Sequence, residues 1–157
     1  YMNESGTFID QTKLIGLDLQ DKFVSRGVAR ADIDNDWDID LIISNNNDKA
    51  SLLINEGVPR NNWIGFYLKG VEANRQAIGS KIKIHTNSGS QVSYVNPSGS
   101  YLSSNDQRIV FGLGKEEKVK MVEIYWACGI EKEISNNLDS NYYYKIIEGA
   151  SISIITY

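Results

Sequence analysis

The sequence predicts an all-β protein built as two units in series, and three observations carry that prediction. Apolar and polar residues alternate at period two, most clearly in Ser80-Lys81-Ile82-Lys83-Ile84-His85. Thirteen glycines stand against two prolines, a balance suited to many short strands joined by tight turns. Charge is divided: residues 1–60 hold eleven acids and six bases, whereas residues 61–157 hold nine acids and ten bases. No amphipathic helix with caps interrupts the pattern, the best short candidate being Glu72–Ala77.

The first unit, residues 1–60, offers strands at Thr7–Gln11, Gly27–Ala31, Leu41–Ser44 and Ser51–Asn55. That count approaches the four strands of one β-propeller-type blade. A lone blade has two faces and cannot bury both. It must therefore pack on the second unit, on further blades or on another copy of the chain. Turn formers cluster at Gly57-Val58-Pro59-Arg60-Asn61-Asn62, which marks the boundary. The chain opens Tyr1-Met2-Asn3 without a signal peptide, which reads as a processed chain or a piece of a longer one.

The second unit, residues 61–149, reads as a β-sandwich-like domain. Its strands are expected at Trp63–Leu68, Ser80–His85, Gln91–Asn96, Arg108–Phe111, Val119–Trp126, Glu131–Ile134 and Tyr142–Ile147. Asn87-Ser88-Gly89-Ser90 forms a hairpin turn, and Ala127-Cys128-Gly129-Ile130 serves the same purpose further on. Phe111-Gly112-Leu113-Gly114 lacks a third glycine and a following helix, so it is read as a turn after a strand rather than a nucleotide loop. The tail, residues 150–157, alternates at Ser151–Thr156 and carries no charge, a composition that edge strands usually avoid. It is either the last strand of the second unit or a strand added to another subunit.

The motif with clear chemistry lies between two first-unit strands, in Asp32-Ile33-Asp34-Asn35-Asp36-Trp37-Asp38-Ile39-Asp40. Acids on alternate positions repel one another unless a cation sits among them. Calcium takes six to eight oxygens at about 2.3–2.6 Å from carboxylates and carbonyls around a tight loop. Asp32, Asp34, Asp36 and Asp40 supply side-chain oxygens, and Asp38 a backbone carbonyl. Magnesium fits less well, since it prefers waters and a rigid octahedron. The sixth position is Trp37, where such loops want glycine for a positive φ, and a bulky residue there costs roughly 1–2 kcal/mol.

Composition excludes much else. The net charge of -4 opposes nucleic acid or an anionic membrane as the main partner, and the apolar runs are too short to span a bilayer. The single cysteine, Cys128, excludes an internal disulfide framework, and the single histidine, His85, removes most His-based catalysis. His85 sits on the polar face of its strand, Cys128 in a turn, and Glu131 and Glu133 share a solvated face. Trp63 and Trp126 are expected in the core, while Tyr101 and Tyr142–Tyr144 alternate so as to leave at least one ring exposed for a sugar. Asn3-Glu4-Ser5 is an N-glycosylation triplet.

Tyr1-Met2-Asn3-Glu4-Ser5-Gly6-Thr7-Phe8 and Gly27-Val28-Ala29-Arg30-Ala31-Asp32 through Leu41 resemble an FG-GAP (VCBS-type) propeller repeat with its calcium loop. The remainder resembles the ASPIC and UnbV domain that follows such repeats in the cartilage acidic protein family. The residues carrying that likeness are Asn62-Trp63, Leu68-Lys69-Gly70, Asn74 through Gly79, Ser100-Tyr101-Leu102-Ser103, Phe111 through Gly114 and Val122 through Trp126. Trp37 for glycine, and Ala127-Cys128 where the family often has proline and a small residue, depart from the pattern. The resemblance implies a secreted or surface protein used in calcium-dependent binding or adhesion, with no catalytic residues to carry over. The functional expectation is a non-enzymatic, calcium-binding extracellular module. Its partner would be a protein, another copy meeting it through the open blade and C-terminal strand, or a glycan. The alternative is a polysaccharide hydrolase or lyase, which the lack of convergent His, Arg or nucleophile groups opposes.

Overall fold

A computed structural model of the chain describes residues 1–4, 6–11, 23–56, 61–129, 133–150 and 152–155. The described residues form thirteen strands and no helix. The first two, β1 (Met2–Glu4) and β2 (Thr7–Ile9), pair with each other around Gly6, whose φ is 90°. The next three, β3 (Ser25–Ala31), β4 (Asp40–Asn45) and β5 (Ser51–Leu53), form an antiparallel meander. Thus the Thr7–Gln11 segment does not join the other first-unit strands as expected. The free edge of β3 is taken instead by a loop of the second unit: Ser100 Oγ accepts from Val28 N, Asn105 Oδ1 accepts from Arg30 N, and Asp106 N donates to Arg30 O.

Eight further strands make two four-stranded sheets. One runs β11 (Glu133–Asp139), β10 (Lys118–Tyr125), β7 (Lys81–His85), β8 (Ser90–Tyr94). The other runs β13 (Ile152–Ile155), β12 (Tyr143–Ile147), β6 (Asn62–Lys69), β9 (Ile109–Gly114), with β12 and β6 parallel. Period-two alternation sends Ile64, Phe66, Tyr144 and Ile146 from one sheet and Ile82, Ile84, Val122 and Ile124 from the other into a single buried cluster. Each such side chain contributes about 1.5–3 kcal/mol through its burial. This shared core holds the two sheets together.

Local expectations fare unevenly. Phe111-Gly112-Leu113-Gly114 is not a turn: Phe111 and Leu113 are buried core residues of β9, and the chain reverses only after Gly114, at φ 60°. Glu72–Ala77 forms turns rather than a helix, because the amides of Val71, Glu72 and Ala73 all donate to Glu148 Oε2 at 2.6–2.9 Å. Strand β11 extends through Ser135-Asn136-Asn137, where no apolar alternation signals it. As a sheet edge it needs only Leu138 in the core. The tail strand β13 pairs with β12 of its own chain, from Tyr143↔Ile155 to Ile146↔Ile152. The boundary at residues 57–60, Ile130, Glu131, Ser5 and residues 151, 156 and 157 lie outside the described residues.

Candidate metal centre

The acidic loop leaves β3 at Ala31 and re-enters β4 at Asp40, residues that face each other across the ladder. Its two ends are therefore fixed by the meander, which brings Asp32 and Asp40 together at the base. Asp40 is fully buried and spends both oxygens on backbone amides: Oδ2 accepts from Ile33 N at 2.8 Å and Oδ1 from Asn55 N at 2.9 Å. Within the loop, Asp36 N donates to Asp34 Oδ1 at 3.3 Å and Asp38 N to Asp36 Oδ1 at 3.1 Å, two Asx turns that fold the chain tightly. Carboxylate oxygens of Asp32, Asp34 and Asp40 lie within 4.8 Å of one another. Asp36 and Asp38 stand outside that closest group. Of the five predicted residues, then, three converge and two flank them.

Asp32 is 5% exposed, and neither of its carboxylate oxygens reaches a hydrogen-bond donor in good geometry. Burial drives its pKa above the ordinary 3.8, against the opposing pull of the Arg108 charge and the facing amides of Trp37 and Asn35. Asp38 Oδ1 is likewise buried without a partner. Its carboxyl is pushed up to about 6, first by desolvation and then by the charges of Asp36, Asp40, Asp34 and Asp32. Buried carboxylate oxygens without donors are expensive unless a cation neutralises them. An oxygen-only donor set of this density fits a hard divalent ion. These residues fit calcium.

The sixth loop residue adopts the positive φ that the pattern requires, at 82° on Trp37, without glycine. What holds it there is the second unit. The Trp37 ring stacks on Trp63 at 5.7 Å and lies 5.6 Å from Tyr143, while Trp63 and Tyr143 are 5.0 Å apart. Trp63 is therefore not a core residue, as its apolar run suggests. It is half-buried on the outer face of β6, where the loop packs. Tyr143 lies across Gly65, its ladder partner on β6. A Cβ there would stand 2.0 Å from the tyrosine ring, so only glycine leaves room for it.

Arg108 completes the junction. It pairs with Asp106, donates from Nη2 to the Asp32 carbonyl at 3.2 Å, lies 3.8 Å from Asp32 Oδ2, and sits 5.3 Å over the Tyr143 ring. Arg108 lies far from the acidic loop in sequence, so no local pattern marks it; its role arises from the register that sets β9 beside β6.

Elsewhere the groups set aside on sequence grounds have structural partners. His85 contacts Glu123 Oε2 through Nε2 at 3.1 Å and Ser90 Oγ through Nδ1 at 2.8 Å, with Ser90 its ladder partner. Cys128 Sγ donates to Glu148 Oε1 at 2.9 Å. Trp126 is in the core as expected, Tyr143 and Tyr144 are buried, and Tyr101 and Tyr142 are exposed. Among the described residues, no helix is long and apolar enough to cross a membrane.

The family described as ASPIC and UnbV matches residues 70–153. The match runs from the loop after β6 into β13 and leaves the acidic loop outside it. No curated protein matches the chain.

Proposed function

The chain belongs to the ASPIC and UnbV family, and on that footing we propose that it is a non-enzymatic, calcium-binding extracellular module for binding, adhesion or subunit assembly. In this reading the β3–β5 meander is an FG-GAP (VCBS-type) blade and the two four-stranded sheets are a β-sandwich-like domain. Asp32, Asp34, Asp36 and Asp40 would hold the ion through their side chains, and Asp38 through its carbonyl. The observation that carries the proposal is the buried Asp32 carboxylate, neither of whose oxygens reaches a hydrogen-bond donor in good geometry, beside Asp34 and Asp40. Bound calcium would neutralise the acids and bring in ligands now spread along the loop.

The chain's own residues would turn that local event into a mechanical one. Trp37 carries the loop onto Trp63 and Tyr143, and Arg108 ties the Asp32 backbone to Asp106. An ordered loop therefore fastens the first unit to the second. Open sheet edges, including the outer edge of β13, leave surfaces for a protein partner or a second copy.

The test is a thermal melt in millimolar calcium and in excess chelator, with Asp32→Asn as control. Saturation at a hundred times the dissociation constant stabilises by about 2.7 kcal/mol. For a chain of this size, that is a rise of several degrees in Tm. Asp32→Asn should melt at one temperature in both solutions. Identical melts of the unsubstituted chain would dismiss the calcium reading.

A further inference from the structure

A groove of about 430 Å³ opens between strands β3 and β4 of the meander and the second unit, lined by Val28, Arg30, Leu41, Tyr94, Asn96 and Asn105 among others. We propose that this groove binds an acidic saccharide, a pyranose chain bearing carboxylates. The proposal rests on the binding-module reading and names its ligand class.

Four features of the groove point that way. First, its walls are fixed before any ligand arrives. The bonds from Val28 N to Ser100 Oγ, from Arg30 N to Asn105 Oδ1 and from Asp106 N to Arg30 O clamp the facing loop to β3, and Asn105 N closes that loop on Pro97 O at 2.7 Å. A preformed site between units is the usual setting for a small-molecule cleft, and its volume lies in the range of about 300–1,000 Å³ typical of them. Second, Tyr94 is 56% exposed at the end of β8, an aromatic face of the kind on which sugar rings stack.

Third, the polar groups facing the groove are mostly donors awaiting acceptors. Asn96 and Asn105 spend their Oδ1 atoms on the amides of Ser98 and Arg30, which leaves their Nδ2 groups available. The Arg30 guanidinium is exposed and has no ion pair among the described residues. Among the described residues, no acidic side chain lines the groove. Such a site selects a ligand rich in hydroxyl and carboxylate oxygens, and Arg30 can meet a carboxylate with two parallel hydrogen bonds. Fourth, an extended peptide is disfavoured at this place. Strand addition needs free backbone groups, and beside this groove Val28 N, Arg30 N and Arg30 O are already taken by Ser100, Asn105 and Asp106.

The experiment is isothermal titration of the whole chain with a short oligogalacturonate, with its methyl ester and with an oligoglutamate peptide, each in calcium and in chelator. The acid form should bind, and the ester should bind about tenfold more weakly, the loss of one good charged contact. Arg30→Gln should erase that preference, whereas Tyr94→Ala should weaken both ligands about tenfold. Both residues are exposed, so both variants should keep the unsubstituted melting temperature, which separates a binding defect from misfolding. No binding of either saccharide, binding indifferent to both variants, or preference for an oligoglutamate peptide would overturn the proposal. Its failure is distinguishable from failure of the metal reading: saccharide binding unchanged by chelator leaves the groove standing, and calcium-dependent melting without saccharide binding leaves only the metal loop.

Discussion

Trp37 holds a conformation that L-residues avoid, φ 82°, and does so by packing against two rings that belong to the other unit, stacked on Trp63 and tilted against Tyr143. Two effects oppose each other at this residue, and substitution separates them. Trp37→Ala keeps the backbone penalty and loses both ring contacts, each about 0.5–1.5 kcal/mol beyond their area. Trp37→Gly loses the same contacts but relieves roughly 1–2 kcal/mol of backbone strain. Urea melts should therefore rank the protein above the glycine variant and the glycine variant above alanine; equal alanine and glycine variants would mean that the loop relaxes away from this φ. The acids beside Trp37 make a second prediction. Asp32 and Asp38 have folded pKa values raised above 3.8, Asp38 to about 6. A raised carboxyl binds more protons folded than unfolded, so stability falls as pH rises from below 4 through about 6. In chelator, Tm should decline across that window more than in Asp38→Asn, and calcium should remove the decline. A flat profile in chelator would contradict the desolvation of these two carboxylates.

At the scale of elements, close approach and backbone satisfaction decide where loops sit. Gly65→Ala puts a methyl group into the Tyr143 ring and so disturbs the surface on which Trp37 rests. Overpacking of this kind typically costs about 1–3 kcal/mol. Its specific signature should be a change in tryptophan emission as the Trp37–Trp63 stack opens, and a melt lowered without that change would place the damage elsewhere. The turn at 71–73 is organised differently, around the buried Glu148 carboxylate. Burial opposes its ionisation, but the Cys128 thiol and three amides outweigh that and hold its pKa below the ordinary 4.5. A depressed carboxyl contributes stability above its unfolded pKa and loses it as pH falls through the folded one. Glu148→Gln should cost about 1.5–3 kcal/mol at neutral pH, the worth of hydrogen bonds to a charged group. The difference from the unsubstituted chain should close below pH 4.5, as read from melts across pH.

At the scale of the molecule, the acidic loop, the Trp37 stack and Arg108 form one junction, and the meander relies on it for cover. Ile42 and Leu52 are ladder partners and remain exposed, so one face of the meander stays uncovered among the described residues. If calcium orders the junction without covering that face, the solution mass should match one chain in both calcium and chelator, while Tm differs. If calcium drives assembly, mass should rise with the ion, as light scattering would read. By itself the sequence determined the all-β class, the position of most strands in the second unit and the density of acids between Ala31 and Leu41. These are local signals: alternation follows from the two-residue repeat of a strand, and an acidic loop is written in consecutive residues. The polar continuation of β11 beyond Ile134 escaped notice because an edge strand needs few apolar contacts, and the continuation of the Arg108–Phe111 strand to Gly114 because glycine suggests a turn wherever burial is unknown. Only the tertiary structure decided that Trp63 belongs to the junction rather than the core, that Arg108 reaches Asp32, and that Tyr94 and Asn105 face Arg30 across a groove. Those relations join residues dozens of positions apart, and they are set by sheet register and packing, which no local pattern encodes.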